Sequence, residues 1–310
     1  MIRKKNTRHC KSSILFVVSM ISIASFCVGK SYDQIRSKLT KKITPTDTAL
    51  RSNQNACQVE KINKIPENSY IIIGHAYGSH EGSAQRNHEG IAPSIKTLIK
   101  YNKSRISGII FTGDVLSVPS EKKWRDLHQL TQPIPVYIAP GNHDVSIIQD
   151  SASRDIFNKR STAQSLIYPQ SIMIDEALFI IDDSNPRNSS EKLGSYIVSE
   201  IKKRPSISNA IVVRHHVLPE ELRYAQNGES PSKYWSANEF SIIRQQLPES
   251  TELSFIYGDG GAFTRLPRMS CTSISGFKNI VNGIGELKDD RILIYNEGKL
   301  SYYVLGRTGF

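Results

Sequence analysis

Beyond residue 67 the chain is punctuated by short apolar runs, each closed by glycine or polar residues. Residues 70–73, 109–112 and 136–139 are four-residue runs of this kind, too short for helices and suited to buried strands. Between the first two, Ile91, Ile95, Leu98 and Ile99 fall on one face of a predicted helix over 91–101. Residues 121–130 predict a second helix before the third run. The remainder is richer in strands: 172–174 and 178–181 flank an Asp175-Glu176 turn, followed by 210–213, 253–257, 292–295 and 302–305. No internal repeat of 20–50 residues is present, which disfavours solenoids and propellers. Strand alternating with helix predicts an α/β domain over 67–310, with sites outside the carboxyl ends of its strands.

Charge changes the picture only at the amino end. Of the 40 Lys/Arg and 29 Asp/Glu, residues 1–66 hold 13 and three, leaving 27 against 26 for the rest. The predicted domain is therefore nearly neutral, which argues against a nucleic-acid-binding face. Arg3, Lys4, Lys5, Arg8 and Lys11 precede an uncharged apolar stretch over 12–29, long enough as a helix to reach roughly 27 Å. Residues 1–30 thus read as a signal anchor or signal peptide. Phe26 and Val28 crowd the usual cleavage positions, which favours an uncleaved single-pass anchor with the domain outside the cytoplasm. Residues 31–66 are polar, with Pro45 and Pro66, and read as a stalk or linker. Cys57 and Cys271 are the two cysteines beyond the leader, compatible with one disulfide or with two buried thiols.

Candidate chemistry gathers where the apolar runs end. FTGDVLS places Asp114 after one run and APGNHDV places Asn142, His143 and Asp144 after another. VVRHH adds His215 and His216, and YGDGG adds Asp259. His75 and Tyr77 follow the run over 70–73. Oxygen and nitrogen donors collected at strand ends suit a divalent metal used in hydrolysis. Asp182 and Asp183 read as turn carboxylates, and Trp124, Tyr234 and Trp235 as cleft lining or core packing.

In this order, residues 67–263 resemble the calcineurin-like metallophosphoesterases, whose blocks run Asp-x-His, Gly-Asp, Gly-Asn-His-Asp/Glu, a His after a hydrophobic strand, and Gly-His-x-His. Gly113-Asp114, Gly141-Asn142-His143-Asp144 and His215 match the middle three. His75-Ala76-Tyr77 departs from the first block, and Gly258-Asp259-Gly260-Gly261 from the last. The resemblance implies a four-layer α/β/β/α sandwich and a centre of one or two divalent ions, Mn, Fe or Zn. It implies Asp114, Asn142, His215 and Asp259 as ligands of one ion, with His75, Tyr77 and Gly261 at the counterparts of the other's ligands; His75 and Asp259 look exchanged in type. His80 is a further nearby imidazole. By the same resemblance His143 would protonate or stabilise the leaving group, with Asp144 orienting it, and His216 would contact substrate phosphate. Expected partners are a phosphate-ester small molecule or envelope component, and a membrane through the leader. A catalytically silent phosphoesterase-like scaffold that binds such ligands is the competing expectation.

Overall fold

The computed structural model describes residues 59–78, 90–145, 151–161, 163–186, 189–219, 235–260, 269–285 and 289–306. The leader, most of the linker, Cys57, His80, Tyr234 and Gly261 lie outside the described residues. The described strands are β1 (Glu60–Ile62), β2 (Ser69–Ile73), β3 (Ile106–Phe111), β4 (Val136–Ile138), β5 (Gln170–Ile174), β6 (Ala177–Ile181), β7 (Asn209–Arg214), β8 (Glu252–Tyr257), β9 (Met269–Ile274), β10 (Phe277–Asn282), β11 (Arg291–Asn296) and β12 (Lys299–Val304). Helices α1 (Pro93–Asn102), α2 (Glu121–Thr131), α3 (Asn142–Val145), α4 (Ser151–Arg160), α5 (Ser189–Lys202) and α6 (Ala237–Gln246) separate them.

Two mixed sheets result. The first has the order β1-β12-β11-β2-β3-β4, the second β5-β6-β7-β8-β10-β9. Within each, a run of neighbouring strands is parallel: β2, β3 and β4 in the first, β6, β7, β8 and β10 in the second. Their carboxyl ends therefore share an edge.

Period-two alternation explains why these strands are apolar throughout. Ile71, Ile73, Ile109 and Phe111 point to one side of the first sheet and pack with Ile95, Leu98, Trp124, Leu127 and Phe157 of the helices. Leu178, Ile180, Ala210, Val212 and Phe255 do the same on the second sheet with Leu193, Ile197, Phe240 and Ile243. The intervening residues, Ile72, Ile110 and Leu293 from one sheet and Phe179, Ile211, Val213 and Ile256 from the other, form a third cluster. The two sheets thus face each other, with helices on both outer sides. Each fully buried Ile, Leu or Phe contributes roughly 1.5–3 kcal/mol relative to exposure.

Two departures from the sequence reading stand out. β1 and the buried Ile65 lie inside the segment read as linker. β1 pairs with β12 at the sheet edge and keeps Glu60 and Lys61 exposed, so its sequence looks polar. The β9–β10 hairpin and helices α5 and α6 add to the elements that the apolar runs predict. α6 is announced by a capping box, Ser236 with Glu239. Trp124 and Trp235 are core residues of the two outer clusters. Cys271, on β9, is disulfide-bonded to a cysteine outside the described residues. Among the described residues, no helix is long and apolar enough to cross a membrane.

Candidate metal centre

Each candidate side chain sits one to a few residues beyond the end of a strand. His75 follows β2, Asp114 follows β3, and Asn142, His143 and Asp144 open α3 after β4. His215 and His216 follow β7, and Asp259 follows β8. His75 and Asp114 have φ of 49° and 53°, a left-handed conformation costly for non-glycine residues, and both occur at the site. Gly141 is needed for close approach: a Cβ there would lie 2.2 Å from Asp114 Oδ1.

These turns bring donors from both sheets together. Asp114 Oδ2 lies 3.4 Å from His75 Nε2, and its Oδ1 lies 3.4 Å from His215 Nε2. Asp259 Oδ1 is 3.4 Å from His75 Nε2 and 3.8 Å from His215 Nε2. Asn142 Oδ1 is 3.2 Å from the same His215 nitrogen. His75, Asp114 and His215 alone form a buried group able to hold a metal ion. Asp259 stands across from His75, so the two residues that look exchanged in sequence meet in space.

The imidazoles are oriented for this. His215 Nδ1–H donates to the Thr112 carbonyl at 3.1 Å, which leaves Nε2 with its lone pair toward the cluster. His75 Nδ1 is buried without a hydrogen-bond partner among the described residues, so its polar contacts are all through Nε2. Burial pulls the His75 pKa down, but the Asp114 and Asp259 carboxylates outweigh it and raise the value. Asp114 is likewise opposed by burial, yet His215, His143, His75 and the His143 backbone N–H hold its carboxyl well below the usual range. Asp259 is lowered too, against burial, by its bond to His75 and by His215. Concentrated carboxylate charge facing imidazole nitrogens suits a divalent cation.

His143 lies beside the cluster. Its Nε2 is 3.9 Å from Asp114 Oδ2, its backbone N–H donates to Asp114 Oδ1, and its ring is 5.3 Å from that of Tyr77. The resemblance gives Asp144 the task of orienting His143; that task falls instead to the Ser117 carbonyl, which accepts from Nδ1–H at 2.9 Å. Both Asp144 oxygens accept backbone N–H groups, from Val115 and Leu116 on one side and Gly141 on the other. Asp144 therefore clamps the loops after β3 and β4 together. Burial and the nearby Asp114 charge push its pKa up to about 7 despite those three donors.

His216 is buried, ring to ring with His215 at 4.8 Å. The Ser184 hydroxyl accepts from the His216 backbone N–H and shares a hydrogen bond with its ring Nδ1 at 2.8 Å. Burial and His215 push the His216 pKa down to about 3.

The loop after β6, whose Asp182 and Asp183 read in sequence as turn carboxylates, supports both halves. Asp182 pairs with the buried Arg214 at 3.2 Å. Asp183 accepts from Arg154 and from Asn185, whose Nδ2 also donates to the Pro140 carbonyl at 2.8 Å. The available signal was position: Asp182 to Asn185 are polar residues directly after a buried strand, as are all the candidate ligands.

No family model and no curated protein matches the chain. Among solved structures it is similar to the phosphopantetheinyl hydrolase of Mycobacterium tuberculosis, at 12% identity over 72% of this chain and 92% of that one, TM-score 0.39. The protein TT1561 of Thermus thermophilus is 9% identical over 77% and 99%, TM-score 0.42. A conserved protein of Streptococcus pneumoniae described as a predicted phosphoesterase is 7% identical over 78% and 91%, TM-score 0.29.

Proposed function

We propose that this chain is a metal-dependent phosphoesterase. The observation that supports it is the convergence of five donor side chains, His75, Asp114, Asn142, His215 and Asp259, from strand ends of both sheets, with His143 alongside. These five would hold a divalent ion such as Mn, Fe or Zn. When bound, the ion acidifies a water and neutralises charge on phosphoryl oxygens.

The remaining roles belong to the chain. With Nδ1–H held by Ser117 O, a protonated His143 presents Nε2–H to the departing group. As water attacks phosphorus and the ester P–O bond breaks, the leaving oxygen takes that proton, and the attacking water loses one to solvent. Tyr77 and His216 would contact the substrate phosphate. Asp144 keeps the Asp114 and His143 loops in register.

The membrane-anchored or exported placement remains part of the proposal. The Cys271 disulfide supports it, because such bonds persist outside the reducing cytosol. The first test is elemental analysis of the purified protein, with hydrolysis of aryl phosphomonoesters and phosphodiesters followed across Mn, Zn and Fe. Bound metal with metal-dependent turnover supports the reading; metal-bound but inert protein would favour the binding scaffold. Protein that retains no metal would overturn the metal centre.

A further inference from the structure

We infer that the centre is built for a single cation, and that the Tyr77 hydroxyl and the His143 ring stand on the side of Asp114 where a second cation would have to sit. The inference rests on the metal-centre reading above and fixes its stoichiometry.

Spacing carries the first half. With metal–ligand bonds of about 2.0–2.2 Å, neighbouring donors around one ion lie about 3.0 Å apart in octahedral and about 3.4 Å in tetrahedral geometry. The donor pairs here are separated by 3.2, 3.4, 3.4, 3.4 and 3.8 Å. One ligand atom each of His75, Asp114 and His215 lie within 4.8 Å of one another, close enough to share one ion, with Asp114 turning Oδ2 to His75 and Oδ1 to His215. His215, Asp114 and Asp259 are each adjacent to another donor in a closed ring completed by His75.

The second half concerns what faces Asp114 elsewhere. Paired ions sit about 3.5–4 Å apart, and the second needs its own donors beyond a shared carboxylate. Among the described residues, His75, Asp114 and His215 form the one group of three or more His, Cys, Asp or Glu with metal-ligand spacing. A further buried carboxylate, Asp144, spends its oxygens on three backbone N–H groups. The buried Tyr77 ring fills the space between His75, edge-on at 5.1 Å, and His143 at 5.3 Å, with its hydroxyl aimed at Asp114.

The test uses the full chain loaded with Mn(II), freed of excess metal, and examined by elemental analysis and electron paramagnetic resonance. One Mn per chain with an isolated-ion spectrum is expected. Two per chain, or an exchange-coupled pair, would overturn this inference while leaving the metal centre intact. No retention of Mn, Zn or Fe would overturn the metal centre itself, so the two failures are distinguishable. Tyr77→His adds an imidazole where the phenol stands and should move the ratio toward two with exchange coupling. A ratio that stays at one in this variant, with Tyr77→Phe also at one, would remove Tyr77 from the assigned place.

Discussion

The two sheets contribute to one centre by different means. The first sheet sets its donors with backbone: His75 and Asp114 in left-handed conformations, Gly141 pressed against Asp114, and Asp144 gathering three N–H groups. The second sets His215 and His216 with side-chain and carbonyl partners, Ser184 and Thr112, and buries an Arg214–Asp182 ion pair just behind them. The difference teaches where perturbations should travel. On the first sheet a substitution displaces loops and alters the chemistry; on the second it alters charge balance, and the response depends on pH.

The largest expected effect follows from the residue both halves share. Asp114 faces His75, His143 and His215 at once, so Asp114→Ala should abolish metal retention and bring hydrolysis to background. A variant that retained wild-type metal content would show that the remaining donors suffice. His143→Ala comes next and separates roles within the first sheet. Metal should stay bound while turnover falls by roughly 10²–10⁴, the range for loss of a general acid. Equal metal loss in both variants would sink that division.

The second sheet is broken most directly at Arg214. Arg214→Met leaves Asp182 buried without its cation, and removing one partner of a buried pair costs about 3–5 kcal/mol. The sign of the pH dependence is worked out on metal-free protein. In the wild type, burial raises Asp182 to about 6, with Arg214 opposing and Asp183 adding to the shift. As pH rises from about 4 to about 6, the unfolded state has released this proton and the folded state has not, so stability falls in that window. Without Arg214 the folded pKa is higher still, and the fall continues above pH 6 in the variant alone. Urea unfolding in EDTA should therefore show a deficit that is smaller at pH 5 than at pH 8. A pH-independent deficit would mean that the ion pair is not what stabilises this side.

What was legible in the sequence follows the same line. Strands β2, β3, β4, β6, β7 and β8 are apolar on both faces and end in Gly, Asp, Asn or His, so both the layers and the donors at their ends could be read. β1 could not, because an edge strand buries little and its Glu60 and Lys61 look like linker. The meeting of His75 with Asp259, 184 positions apart, was suggested by their exchanged types but required two sheets to be face to face. The partner of His143 was not legible, because a backbone carbonyl leaves no trace in side-chain identity. Nor was the supporting part played by the β6 loop, whose residues touch the ligand-bearing loops without being ligands.

That loop supplies the smallest and most discriminating expectation. Asn185 is the side chain by which the loop after β6 of the second sheet holds the Pro140 carbonyl, two residues before Asn142. Its loss removes one half-buried hydrogen bond, worth about 1 kcal/mol, so Asn185→Ala should unfold only slightly more easily than the wild type. Metal affinity is the sensitive readout. If the β4 loop takes its position partly from the second sheet, Asn142 should sit less often in ligand geometry, and affinity for Mn(II) should weaken by up to roughly tenfold, the lower end for outer partners of metal ligands. Unchanged affinity would mean that the Asp144 clamp and the left-handed turns set the first-sheet donors unaided, and the contrast between backbone-set and side-chain-set halves would then be sharper than drawn.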